Sequence, residues 1–173
     1  GISDAVKILN SSIILRAMSK RIGIPKLVSD PYFSGGGLNI TQKSGLLDVH
    51  VDGNYHDATG LNRRGNLLIY LNSNWQKSWK GELGFYDKTG SNLVKSIDPK
   101  FNRCIIFDTH DYSFHGLPEP INFPEKESRK SIILYYYTHE PRPKEHTNVD
   151  GPHSALWKKR NLLDKKGNKK RDY

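Results

Sequence analysis

Residues 46–60 read LLDVHVDGNYHDATG, two histidines and three aspartates in fifteen positions. Read as a strand up to Gly53, the segment sorts itself, because residues two apart on a strand share a face. His50 and Asp52 then point the same way. Asp48 shares that face by parity, but it sits one pair earlier and is not needed for a ligand set. His56 and Asp57 fall beyond Gly53, in a loop. Adjacent strand residues face opposite ways, so His56–Asp57 and His110–Asp111 make poor chelating pairs.

The strand reading extends outward. Short apolar runs separated by turn signals continue to about residue 138: LLDVHVD, NLLIYLN, GELGFYD, CIIFDT and SIILYYYT. Before them, residues 3–21 have helical spacing at Val6, Leu9, Ile13 and Ala17, with Ser3 or Asp4 as cap and Gly23 and Pro25 as stop. DPYFSGGG, residues 30–37, reads as a turn or loop. A helix followed by many short strands predicts a mainly β domain, a β-sandwich or jelly roll with helical support. We expect one domain over residues 1–140, its β core at about 27–138, then a polar, basic arm over 141–173.

The chain has 173 residues, enough for one core. Its net charge of +9 is uneven: residues 158–173 carry eight Lys or Arg against two Asp, which leaves the body only +3. Such a tail reads as a solvated end, with nucleic-acid contact the lesser reading. No run approaches a membrane span or a secretory core. The chain begins at Gly1, which leaves an upstream segment open. A single cysteine, Cys104, excludes an internal disulfide and a cysteine-based zinc site and fits a reducing compartment, so a cytoplasmic setting is expected.

His50 and Asp52 need one more imidazole to form a two-histidine, one-carboxylate set, which leaves open positions on Fe(II) for oxygen chemistry. His115, after the run CIIFDT, is the best candidate. With seven histidines in the chain such a match arises easily by chance, and a hydrogen-bonded surface histidine is the ordinary alternative. Arg129 adds weight. It opens the apolar run SIILYYYT, fourteen residues after His115. A cosubstrate with two carboxylates, such as 2-oxoglutarate, chelates metal at one end and needs a bidentate guanidinium at the other. An arginine at the strand mouth facing water is the competing reading.

At this point the sequence resembles the iron(II)/2-oxoglutarate-dependent oxygenases, in their prolyl 4-hydroxylase-like branch, and among these the small microbial and phage members. The resemblance rests on an ordered set: LVSDPYFSGGGLN, DVHVDGNYH, RRGNLLIYLNSNW, WKGELGFYD, IDPKFNRCIIFDTHDYSFHG and RKSIILYYYT. It implies a double-stranded β-helix, with His50, Asp52 and His115 as iron ligands. It implies Arg129 as partner of the far 2-oxoglutarate carboxylate, with the Tyr70 hydroxyl on the same group. Lys130 adjoins Arg129, and strand alternation lets only one face inward. We assign Arg129, although collagen-type members use a lysine. O2 is the implied co-reactant and ascorbate an accessory reductant. Halogenases of the family have a small residue where Asp52 stands, so hydroxylation is implied.

The implied substrate is a peptidyl proline, or else a free amino acid or a small or sugar-linked metabolite. Segments 53–64 and 72–80 are expected to rim the mouth, with Tyr55, His56, Arg64 and Trp79 as candidate substrate contacts and Asn54, Arg63 and Trp75 beside them. Each has an ordinary role as a loop or packing residue. A nucleic-acid demethylase is a weaker reading, since that branch places a second arginine six positions on and this chain has Tyr135. A non-catalytic metal-binding jelly roll is weaker still, because the ligand set and Arg129 are all present.

Overall fold

The computed structural model describes residues 1–158. The helix expected over 3–21 is two helices, α1 (Ile2–Leu9) and α2 (Ser12–Ile22). The break lies at Ser11, which turns extended and accepts a 3.5 Å hydrogen bond on its hydroxyl from the Ile14 N–H. Serine competes poorly in a helix interior and well at an N-cap, so a continuous apolar spacing concealed a new helix start. Gly23, at φ 71°, ends α2 in the left-handed conformation, as its position predicts. No described helix is long and apolar enough to cross a membrane.

The strands follow as β1 (Val28–Ser29), β2 (Gly37–Thr41), β3 (His50–Val51), β4 (Asn62–Tyr70), β5 (Leu83–Tyr86), β6 (Leu93–Ile97), β7 (Cys104–Asp108), β8 (His115–Gly116), β9 (Arg129–Thr138) and β10 (Leu156–Trp157). They form two antiparallel sheets. In one, β1 and β2 both pair with β9, which pairs with β4 and then β7. The other runs β10-β3-β8-β5-β6. From β2 to β9 the chain passes repeatedly from one sheet to the other, which is the winding of a jelly roll. LLDVHVD contributes only the two-residue strand β3, while β1, β2, β6, β8 and β10 had no expected counterpart.

Both faces of the first sheet are covered, which explains the near-continuous apolar run of β9. Ile132, Leu134 and Tyr136 pack with Leu67 against Met18, Ile24 and Leu27 on the helix side. On the inner side, Leu68 and Tyr70 meet Leu83 and Ile105, with Ile133 and Phe85 alongside. The β4–β9 register slips between Arg63 and Gly65, so Arg64 is an extra residue in a β-bulge. The bulge reverses which faces the preceding residues take. Arg63 therefore sits in the inner row, its guanidinium 4.1 Å from the centre of the Tyr135 ring.

The first part of the arm expected from residue 141 lies against the body. Residues 141–158 form a strap across it, tied to Asp111. That carboxylate, 3% exposed, accepts from Arg142 Nη1 (2.7 Å) and from the backbone N–H groups of Asn148 (2.7 Å) and Val149 (3.1 Å), with His153 Nε2 at 3.1 Å. The sequence showed Pro141, Pro143 and Pro152 among polar residues, and these obscured one buried acid that satisfies several distant donors. Apart from Lys158, the basic tail lies outside the described residues.

Replacing Asp111 with alanine leaves Arg142 buried without its counter-charge. We expect a loss of about 3–5 kcal/mol in urea denaturation. Burial pushes the Asp111 carboxyl up, but its donors outweigh that and hold it below the usual carboxylate range. The stabilisation is thus complete at neutral pH and fades as pH falls through the lowered folded value. The gap between parent and variant should close on acidification; a constant gap would sink the electrostatic account.

Candidate metal and cosubstrate site

The pairing of β3 with β8 sets His50 directly opposite His115. Each imidazole is oriented by its own backbone. His50 Nδ1–H donates to the Asp48 carbonyl at 2.8 Å, and His115 Nδ1–H to the Ser113 carbonyl at 2.9 Å. A carbonyl only accepts, so Nδ1 carries a proton in both rings and Nε2 is the nitrogen each turns toward Asp52. Those nitrogens flank Asp52: His50 Nε2 is 3.7 Å from Oδ1 and His115 Nε2 is 3.8 Å from Oδ2. The separations are too long for hydrogen bonds. They suit one ion with ligand bonds of about 2.1 Å, which can bridge donors up to about 4.2 Å apart.

One donor atom from each of the three buried residues lies within 4.8 Å of the others. Asn66 Nδ2 donates to Asp52 Oδ2 at 3.1 Å and fixes the carboxylate. Burial pushes the Asp52 carboxyl up, yet His50, His115 and Arg63 together hold it well below the usual range. Burial, helped by His50, lowers His115 against the pull of Asp52. At neutral pH the site therefore offers an ionised carboxylate and a neutral His115 imidazole, the states in which these groups ligate metal.

Arg129 stands at the other end of the same cavity, which has a volume of about 300 Å³. Only 4% exposed, it donates through Nε to the Gly81 carbonyl at 2.8 Å and through Nη2 to the Tyr70 hydroxyl at 3.1 Å. Gly81 has φ 87°, and a Cβ there would come within 3.1 Å of Arg129 Cδ, so glycine is required for the close approach. Lys130 turns the other way, its side chain 40% exposed beside Glu127. Among the described residues no carboxylate lies within 4.0 Å of the Arg129 guanidinium. A buried cation without a counter-charge is costly, and here it faces a cavity. Leu68, Leu83, Leu117 and Ile133 wall the space between it and the triad.

None of the four candidate substrate contacts lines this cavity. His56 is 2% exposed and internal: Nε2 meets Asp30 (3.0 Å) and Ser34 (3.2 Å), and Nδ1 accepts from the N–H of Ala58 (3.1 Å). It organises its loop. Tyr55 lines a different hollow, between its loop and the strap. Arg64, the bulge residue, is buried with Nε 3.8 Å from Asp108. Trp79 packs on Phe123, ring centres 5.2 Å apart, and does not line the cavity. Of their neighbours, Arg63 comes nearest the site, through the bulge. Sequence reasoning missed Asn66 and Trp157. The first sits in a strand run where its parity with Leu68 could have flagged it; the second depends on the pairing of β10, for which there was no local signal.

Residues 36–137, more than half of the chain, match the model of the 2OG-Fe(II) oxygenase superfamily, and the chain belongs to that superfamily. Its relatives include prolyl hydroxylases. The chain is 31% identical over 86 residues to prolyl 3-hydroxylase OGFOD1 of Mus musculus, covering 47% of this chain and 15% of that protein. It is 30% identical over 106 residues to the Xenopus laevis protein of the same name, covering 57% and 20%. It thus spans about a fifth or less of the length of these curated relatives.

Among solved structures, a prolyl 4-hydroxylase from Phytophthora capsici shares the fold, with TM-score 0.55 and 19% identity over 77% of this chain and 42% of that one. A prolyl hydroxylase from Trichoplax adhaerens, solved with a hypoxia inducible factor oxygen degradation domain peptide fragment, gives TM-score 0.52 and 27% identity over 77% and 56%. The fold expected from the sequence, that of the prolyl 4-hydroxylase-like branch, is the fold found. The His-Asp-His cluster fits Fe(II), and the unneutralised Arg129 fits the 2-oxoglutarate of the superfamily.

Proposed function

We propose that the chain is an Fe(II)/2-oxoglutarate-dependent dioxygenase that hydroxylates a prolyl residue of a peptide or protein. The observation that carries this is one cavity holding a buried His-Asp-His cluster at one end and a buried, unneutralised arginine at the other. His50, Asp52 and His115 hold the metal. Arg129 and the Tyr70 hydroxyl hold the far carboxylate of 2-oxoglutarate by charge-assisted hydrogen bonds. Leu68, Leu83 and Ile133, which line the cavity, would pack its methylenes and exclude water. When bound, iron and 2-oxoglutarate with O2 supply the oxidising equivalents for C–H hydroxylation, ascorbate serving as accessory reductant. Asn66 and the two backbone carbonyls keep the ligand atoms aimed at a common point, so little reorganisation accompanies metal uptake. A reducing, cytoplasmic setting belongs to the same reading.

Proline is favoured over other substrates by the names of the relatives and by the peptide bound to the Trichoplax protein. Tyr135 lines the cavity where the nucleic-acid branch uses a second arginine, which weighs against that alternative. A succinate-release assay over prolyl peptides, free amino acids and nucleotide sugars tests the proposal. Stimulation by a prolyl peptide is expected. Stimulation by another class alone would overturn the substrate assignment.

A further inference from the structure

The ring that braces ligand His50 from outside comes from beyond residue 137, where the family match ends. In the pairing of β10 with β3, Trp157 is the register partner of His50 and Leu156 that of Val51. The indole stacks on the imidazole with ring centres 4.4 Å apart and planes 26° apart. On its other flank His50 meets His115, also at 4.4 Å. The Nδ1–H bond to the Asp48 carbonyl anchors one atom of the ring. It leaves the imidazole free to swing about that bond, and an indole against its face removes the swing.

The strap also grips the His-x-Asp segment at both ends. Upstream, the Lys158 N–H donates to the Val49 carbonyl at 2.7 Å. Downstream, Asn54 binds it three times: its N–H donates to the His153 carbonyl (3.1 Å), its Oδ1 accepts from the His153 N–H (2.8 Å), and its Nδ2 donates to the Gly151 carbonyl (2.9 Å). Asp111 holds the same strap through Arg142 and His153. Trp157 is 55% exposed, so its placement is poorly explained by burial alone.

We propose that Trp157 is a positioning residue of the metal site, delivered by the strap to fix the plane of the His50 imidazole. The proposal rests on the reading of His50, Asp52 and His115 as metal ligands. Co(II) is titrated anaerobically into the full-length chain and into Trp157→Ala, Trp157→Phe and His115→Ala, with affinity read by calorimetry and indole emission recorded in parallel. Trp157→Ala should weaken Co(II) about tenfold or more, the range for residues that orient metal ligands. Trp157→Phe keeps a flat ring and should stay within about threefold of the parent. Co(II) should quench the emission of the parent and, in Trp157→Phe, leave the remaining tryptophans largely unquenched.

Loss of binding in His115→Ala with parental affinity in Trp157→Ala overturns the proposal and leaves the metal site standing. Parental affinity in His115→Ala overturns the metal site itself. Equal weakening in the alanine and phenylalanine variants overturns ring stacking as the cause. If Trp157→Ala does not fold, the comparison of quenching between the parent and Trp157→Phe decides, and equal quenching overturns the proposal.

Discussion

His115→Ala should lose the charge-transfer absorption that Fe(II) and 2-oxoglutarate give together without oxygen, and turnover should fall by about 10³-fold or more, equivalent to about 4 kcal/mol of transition-state stabilisation. The argument is geometric. His115 Nε2 and His50 Nε2 bracket the two oxygens of Asp52 at 3.8 and 3.7 Å. Without His115 the metal keeps one imidazole and one carboxylate, which cannot define three adjacent positions. The ring also packs edge-on to Phe107 at 5.0 Å, so circular dichroism should accompany the measurement. A folded variant with the parental spectrum would exclude His115 as a ligand.

Arg129→Ala should raise the 2-oxoglutarate requirement about 100-fold while shifting the metal requirement no more than about threefold. Truncating one partner of a buried, hydrogen-bonded charge pair costs about 2–5 kcal/mol, and about 2.7 kcal/mol is already a factor of 100. Arg129 is well placed for an effect of this size because Gly81 and Tyr70 use only its Nε and one Nη2 direction. Its remaining N–H donors are available to a carboxylate. Parallel losses for metal and cosubstrate would mark Arg129 as a structural residue that supports the β5 end of the cavity.

Much of this site was legible because strand parity is a local rule. His50 and Asp52 are two apart, so alternation put them on one face; Arg129 and Lys130 are adjacent, so only one could point inward, and the family pattern chose Arg129. His115 was a candidate by position after an apolar run, and the ordered family motifs made it the choice. What parity could not reach was any place where the chain breaks the alternation or folds back. A one-residue bulge at Arg64 exchanged the faces of two neighbouring arginines. His56 looked like a rim residue because nothing local pairs it with Asp30, twenty-six residues earlier. The strap was unreadable for a related reason: its binding partner is Asp111, whose adjacency to His110 drew attention to chelation and not to a buried anchor. Trp79 was judged by its aromatic character, and the packing partner Phe123 lies far along the chain.

The pairing of β3 with β8 carries one last consequence. These strands are two residues each, and their register contains a single cross-strand pair, the proposed ligands His50 and His115. Few backbone bonds hold the second sheet together at that point. An ion shared by the two rings would act there as a rivet, and by linkage the free energy that seats it would also close the sheet. Slow hydrogen exchange around residues 50 and 115 is then a property of the loaded protein, and the seam is the place where local opening should begin when the ion is withdrawn.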